Sequence, residues 1–314
     1  MAENSAISWT DHTFNPWIRC MKVGPGCDHC YAEAWDARGL QKGPTRWGAG
    51  APRSRTSAAN WQKPRHWNRA AERSGVRPWV FCASLADVFD NEVDPAWRSD
   101  LWTLVRETPA LRWIFVTKRI GNAAKMLPAD WTNAFGHCGL MSTIVNQAEA
   151  DRDIPKLLAT PAAWRGLSME PLLGPVNLAW ALGDPIGIAS GFLWRGQFAP
   201  GMETLRRLDW IIVGGESGPG ARPMHPDWAR PLRDQCAAAG VPFHFKQWGE
   251  WGHSASVFDA FASNGMTLWP NGDQGHGSAD RCGGPGVAMV KVGKKASGRL
   301  LDGVEHNGMQ GRAA

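Results

Sequence analysis

Short apolar runs recur along this chain, each followed by a polar loop and then by apolar residues at helical spacing. "WVFCAS" (79–84) precedes "DPAWRSDLWTLVRET" (94–108), which carries a proline near its start. "RWIFVTK" (112–118) precedes "RIGNAAKML" (119–127), and "GLMSTIVN" (139–146) precedes "QAEADRDIPKLLAT" (147–160). "RGLSMEP" (165–171) follows. "LDWIIVGGES" (208–217) precedes "HPDWARPLRDQCAAAG" (225–240), whose Gly240 suits a helix C-cap, and "VPFHFKQWGEW" (241–251) closes the series. Continuous apolar strands alternating with helices imply a parallel sheet covered by helices. With one strand ahead of Cys20 the pattern gives about seven strands, an α/β chain forming a partial or open (β/α) barrel of TIM type, with a doubly wound sheet as its rival. In both architectures chemistry gathers at the carboxyl ends of the strands. Those ends are Cys20, Ser84 with Asp87, Thr117 with Lys118, Asn146, Glu170, Glu216, and Lys246 with Gln247. Such regular placement of polar groups predicts one functional face.

Residues 1–251 read as the barrel, with insertions at 38–77 and 178–207, and residues 252–314 as a Gly-rich C-terminal extension packed on it. No apolar run approaches the roughly 18 residues of a membrane span. The opening "MAENSAISWTDHTF" has neither a basic leader nor an apolar signal core, so a cytoplasmic protein without membrane association is expected. Thiols stay reduced there, and clustered cysteines more often bind metal than pair. Seven cysteines is also an odd number for a disulfide framework.

Of 34 basic residues 24 are Arg, and 19 Trp stand against one Tyr. Between residues 38 and 77 lie ten basic residues and a single acid, Glu72, with Trp47, Trp61 and Trp67 interleaved. Guanidinium groups pair with phosphate and indoles stack on bases, so Arg53, Arg55, Trp61, Lys63, Arg65, Trp67 and Arg69 form a candidate nucleic-acid footprint. A solvated Arg-rich loop whose Trp residues pack on the body of the protein is the plainer alternative.

Three cysteines crowd into "TFNPWIRCMKVGPGCDHCYAEAWDARG" (13–39): Cys20, Cys27 and Cys30, spaced C-x6-C-x2-C around a bend at Gly24, Pro25 and Gly26. Three readings compete. The thiols are simply free or buried; or they bind zinc with a fourth ligand from His12, His29 or the distant Cys282; or they hold a 4Fe-4S cluster on three thiolates, leaving one iron open. Cys82 and Cys236 fall on strand and helix patterns and are expected buried, Cys138 precedes a strand, and Cys282 lies in a glycine stretch, so no second cluster is expected.

These residues, together with "CASLADVFDNEV", "FVTKR", "SMEPLLGPV", "DWIIVGGESGPGARPMHPDW", "PFHFKQWGEW" and "GKKASGRLLDG", resemble the phage-associated three-Cys-motif proteins, a radical S-adenosylmethionine-like family. The likeness runs from about Trp9 to Gly303. It implies a radical-SAM-type partial barrel in which Cys20, Cys27 and Cys30 ligate a 4Fe-4S cluster and the open iron binds S-adenosylmethionine. An external one-electron reductant then drives formation of a 5'-deoxyadenosyl radical. The first cysteine gap is six residues where three is usual. The position before the last cysteine, commonly aromatic and near the adenine, is His29, with Tyr31 beyond it. Gly214, Gly215 and Glu216 resemble the Gly-Gly-Glu element that contacts the methionine ammonium, although here it follows a late strand; Glu170 is the alternative carboxylate. Ser84, Asn146 and Ser168 are further candidate cofactor contacts. Lys118 and Lys246 are candidates for positioning the cofactor carboxylate, a substrate phosphate or a structural carboxylate. The favoured substrate is a nucleic acid, most readily DNA, undergoing base modification or lesion repair of the spore-photoproduct-lyase kind. A radical enzyme acting on a peptide or small metabolite, and a zinc-stabilised nucleic-acid-binding module without turnover, are the alternatives.

Overall fold

The structure, a computed structural model, describes residues 3–38, 47–182, 207–253, 265–275 and 285–311. Cys282, Lys42, Arg46 and most of the 178–207 insertion lie outside the described residues. The chain divides into two compact units, Met1–Thr143 with Pro155–Gly166, and Ile144–Ile154 with Leu167–Ala314.

The first unit opens with β1 (His12–Phe14), β2 (Trp17–Ile18), α1 (Tyr31–Arg38) and β3 (Ser54–Arg55), where β2 and β3 form a small antiparallel pair. Next come α2 (Ala58–Ser74), β4 (Trp79–Cys82), α3 (Pro95–Arg106), β5 (Arg112–Thr117), α4 (Ile120–Met126), α5 (Trp131–Ala134) and β6 (Cys138–Thr143). Every residue of β4 and β6 is buried, as expected of strands covered on both faces. Helix α3 begins where Asp94 accepts from the Ala96 N–H and Pro95 fixes the first turn. Helix α2 lies in the Arg-rich segment. It starts at a Ser57 cap, ends at Gly75 (φ 72°), and buries a stripe of Asn60, Trp61, Pro64, Trp67, Asn68 and Ala71.

Helix α6 (Gln147–Ala159) and β7 (Trp164–Met169) are each divided between the units. The second unit contains β8 (Trp210–Gly214), α7 (Pro226–Ala239), β9 (Phe243–Gln247), β10 (Trp251–His253), β11 (Met266–Leu268), β12 (Gln274–Gly275), β13 (Val287–Lys291) and the single turn α8 (Lys294–Ser297). The main sheet has seven strands in the order β1-β4-β5-β6-β7-β8-β9. The pairs β1/β4, β4/β5, β5/β6 and β8/β9 run parallel. With β1 and β9 at its edges the sheet is open, so the expected α/β class and strand series are met without a complete barrel. A four-stranded sheet in the order β10-β13-β11-β12, antiparallel at each pairing, forms largely within the Gly-rich C-terminal stretch, with Leu268 and Met289 buried. Among the described residues no helix is long and apolar enough to cross a membrane.

One glycine in the first unit is dictated by close approach. A Cβ placed on Gly139 would fall 1.8 Å from Cε2 of Trp164, whose ring in turn meets Trp79 edge-on at 5.6 Å. Gly139→Ala is therefore expected to overpack this core and destabilise the protein by about 1–3 kcal/mol. A thermal melt unchanged from the parent would contradict this packing.

Candidate metal centre

The cysteine segment leaves β2 through Arg19, a non-glycine residue at φ 81°. Positive φ is strained for such a side chain and persists only where the surroundings enforce it. Here the Arg19 N–H donates to the Leu85 carbonyl (3.0 Å), while its guanidinium donates to Ser54 Oγ (3.0 Å) and pairs with Asp36 (3.3 Å). Cys20 follows, its carbonyl accepting from Gly48 N–H (3.1 Å). Gly24, Pro25 and Gly26 lead into a 3-10 turn, Pro25–Cys27, which brings Cys27 into a buried position. Cys30 stands at the head of α1, its carbonyl accepting from Ala34 N–H (3.1 Å), where the helix dipole favours an anionic ligand. Lys22 ties the segment together, donating to the Asp28 carbonyl (3.2 Å) and pairing with Glu33 (3.0 Å).

Cys20, Cys27 and Cys30 line one cavity of about 590 Å³, including its opening to solvent. Tyr31, Ser84, Asp87, Thr117, Lys118 and Arg119 contribute to the same wall, so the ends of β4 and β5 do supply polar groups to it, as the strand pattern predicts. Tyr31 donates its hydroxyl to the Ser84 carbonyl, and Asn15 donates to Ser84 Oγ (2.9 Å). Asp87 is the hub. Its carboxylate accepts from Thr117 Oγ1 (2.8 and 3.0 Å) and from the Lys118 N–H (3.0 Å), and it pairs with Arg119 (3.3 Å). Arg119 also reaches Cys20 Sγ at 3.2 Å and the Met21 carbonyl at 2.7 Å. Burial and then the Asp87 charge push the Cys20 thiol up to about 12, with Arg119 opposing them.

Among the described residues the lining contains three thiols and no imidazole. Among the described residues no three His, Cys, Asp or Glu side chains gather as they would around a single ion. Of the expected zinc ligands, His12 stacks on Trp67 with ring centroids 4.3 Å apart, His29 is exposed, and Cys282 lies outside the described residues. Cys82, Cys138 and Cys236 are buried on β4, β6 and α7.

The remaining candidate cofactor residues belong to the second unit. Asn146 accepts from the Glu149 N–H (3.0 Å) at the start of α6, and Ser168 is buried in β7. Glu170 pairs with Lys246 (3.1 Å), and the bare Cα of Gly214 makes room for them, because a Cβ there would lie 3.2 Å from Glu170 Oε1. Glu216 is buried, with its carboxylate held by Arg222 through Nε (2.8 Å), Nη2 (2.6 Å) and the backbone N–H (2.8 Å). Gly215 meets the Trp248 carbonyl so closely that a Cβ would fall at 1.8 Å. The second glycine of "GGESG" is thus required by backbone packing.

The Arg-rich footprint divides. Arg53 is not a phosphate ligand but a buried tie: its side chain is 2% exposed, pairing with Asp90 (2.7 Å) and Glu92 (3.0 Å). Trp61 and Trp67 belong to the core face of α2 and offer no stacking surface. The second correction follows from the helical period of α2, which turns its indoles inward; the first follows from the carboxylates of Asp90 and Glu92. Arg55 pairs with Asp100 (2.6 Å) and lies over the Trp61 ring, and Arg65 pairs with Glu107 (2.6 Å). Lys63 is half-buried and Arg69 exposed.

Sequence reasoning did not single out Arg19 or Arg119. The signal for Arg119 is its place one residue beyond the strand-end Lys118.

Residues 4–310 match the family model described as a protein of unknown function (DUF5131), and the chain belongs to that family. No curated protein matches it. Among solved structures the chain is similar to a cysteine-to-serine mutant of spore photoproduct lyase, with a TM-score of 0.42 and 11% identity over 91% of this chain and 70% of that one. The same lyase complexed with a dinucleoside spore photoproduct gives a TM-score of 0.42 and 12% identity over the same shares.

Proposed function

We propose that this protein is a radical S-adenosylmethionine enzyme acting on nucleic acid. The observation that carries the reading is the sharing of one cavity by Cys20, Cys27 and Cys30 with no imidazole among the described residues of its wall. Zinc in a closed structural site takes four ligands at about 2.0–2.3 Å around one centre. An iron-sulfur cluster spreads its thiolates over separate irons and suits soft sulfur donors. The donor set therefore fits a 4Fe-4S cluster with a vacant iron, and it agrees with the sequence motifs around the cysteines. When bound and reduced, such a cluster supplies the electron that cleaves S-adenosylmethionine to the 5'-deoxyadenosyl radical.

The chain's own residues hold and shield. Cys20, Cys27 and Cys30 would ligate; Lys118, in the cavity wall, would meet an anionic group there; Tyr31 and Ser84 form a hydrogen-bonded section of the wall. Phe81, Ala83, Ala86 and Val116 line it with apolar surface that excludes water. For Glu216 to receive a ligand ammonium it must give up Arg222, and Glu170 must likewise share its charge with Lys246. Anaerobic, reconstituted protein is expected to be brown, to bleach on reduction and, once reduced in the presence of S-adenosylmethionine, to release 5'-deoxyadenosine. Colourless protein with one tightly held zinc and no 5'-deoxyadenosine would overturn the reading.

The nucleic-acid substrate rests on Arg55, Lys63, Arg65 and Arg69, the part of the footprint that remains at the surface. The surface ion pairs of Arg55 and Arg65 are each worth about 0–1 kcal/mol, little enough for phosphate to replace the carboxylate. Replacing Arg55, Arg65 and Arg69 together by Ala is expected to weaken DNA binding and lower its salt dependence by about one unit of slope per lost contact. An unchanged affinity and slope would remove this surface from the interface.

A further inference from the structure

Arg119 and Asp87 are both charged and both buried, with 8% and 5% of their surface exposed. Removing two such charges from water carries a desolvation cost that their attraction often fails to offset, so fold stability alone is a weak reason for the pair. Its geometry points elsewhere. Asp87 is immobilised by Thr117 and by the Lys118 N–H, and Arg119 is fixed in turn by Asp87 and by the Met21 carbonyl. The same Nη1 that faces Asp87 is then 3.2 Å from Cys20 Sγ. The pair is built from the loop after β4, the end of β5 and the start of α4, so the folded sheet pre-orients the donor.

We propose that Arg119 is a positioning residue for the metal centre: it donates an N–H···S hydrogen bond to Cys20 as a cluster ligand and raises the reduction potential, with Asp87 holding the guanidinium in place. The proposal rests on the cluster reading given above. A hydrogen bond to a ligating sulfur favours the electron-richer, reduced cluster, and outer-shell partners of this kind orient the ligand as well. The assignment gives the three thiolates unequal roles, with Cys20 bearing the cationic donor. It also explains why a guanidinium, with its rigid fork of donors, stands here: one group must satisfy a carboxylate, a carbonyl and a sulfur together.

The test is a potentiometric titration of the anaerobically reconstituted full chain, followed by electron paramagnetic resonance and visible absorption, on the parent, Arg119→Met, Arg119→Lys and Asp87→Asn. Arg119→Met should load comparable iron and sulfide yet show a reduction equilibrium constant lowered about tenfold, which is about 59 mV for a one-electron couple. Arg119→Lys should shift it in the same direction by less, while Asp87→Asn, which deletes the carboxylate charge beside the guanidinium and Cys20, should shift it the opposite way. Loaded variants whose potential equals that of the parent overturn the proposal, because a merely structural role would alter melting temperature without moving the potential. If Arg119→Met does not fold, the other two variants decide by the same criterion. A parent chain that takes up no cluster defeats the cluster reading itself, an outcome plainly distinct from equal potentials.

Discussion

Three sulfur atoms on one short stretch of chain can face one cavity only if the backbone between them is bent and held. The Gly24-Pro25-Gly26 bend turns the chain, and its position is then fixed from several directions. Arg19 is anchored to Asp36 and Ser54, Lys22 spans to Asp28 and Glu33, and Arg119 takes the Met21 carbonyl. The cost of ordering such an irregular segment is offset locally by charge-assisted hydrogen bonds, several of them partly buried, where they are stronger than in water. The parallel strands supply the rest. Because β4 and β5 run alongside one another in the same direction, Ser84, Asp87, Thr117 and Lys118 all emerge at the end where the cysteine segment lies. The chemistry of the site is thus a consequence of strand direction, as is general for sheets of this class.

The regular elements were legible because burial on both faces leaves a strand with little choice but continuous apolar sequence. "WVFC", "RWIFVT" and "WIIVG" each coincide with a strand, and the runs after them coincide with α3, α4 and α7. Helix α2 was harder to see. Its stripe of Trp61, Pro64, Trp67 and Ala71 does follow helical spacing, and Ser57 and Gly75 mark its ends, yet the density of Arg on its outer face directs a sequence reading towards nucleic acid. The short strands β10 to β13 gave no usable period, since strands of two to five residues set in glycine-rich chain are defined by their cross-strand partners.

What sequence could not convey at the site is pairing at long range. Cys20 and Arg119 meet across 99 positions, and Arg53 and Asp90 across 37. Charge type was visible at each position, but whether a guanidinium faces solvent, a carboxylate or a sulfur depends on the finished fold. The same limit applied to "GGESG", where the residues suggested a ligand contact. In the fold Gly215 is explained by its approach to the Trp248 carbonyl, and Glu216 is already engaged by Arg222. Asp87 and Thr117 stood out as polar strand ends, and the structure joins them in one hydrogen-bonded unit.

The vacant metal corner is the claim on which the functional account turns. Iron Mössbauer spectroscopy of the reconstituted chain, with and without S-adenosylmethionine, addresses it most directly. The account predicts that one iron of a cuboidal cluster changes its spectrum when the cofactor is added while the three thiolate-ligated irons keep theirs. A cluster whose irons all remain unaltered by the cofactor, or a chain that assembles no cluster, would contradict it.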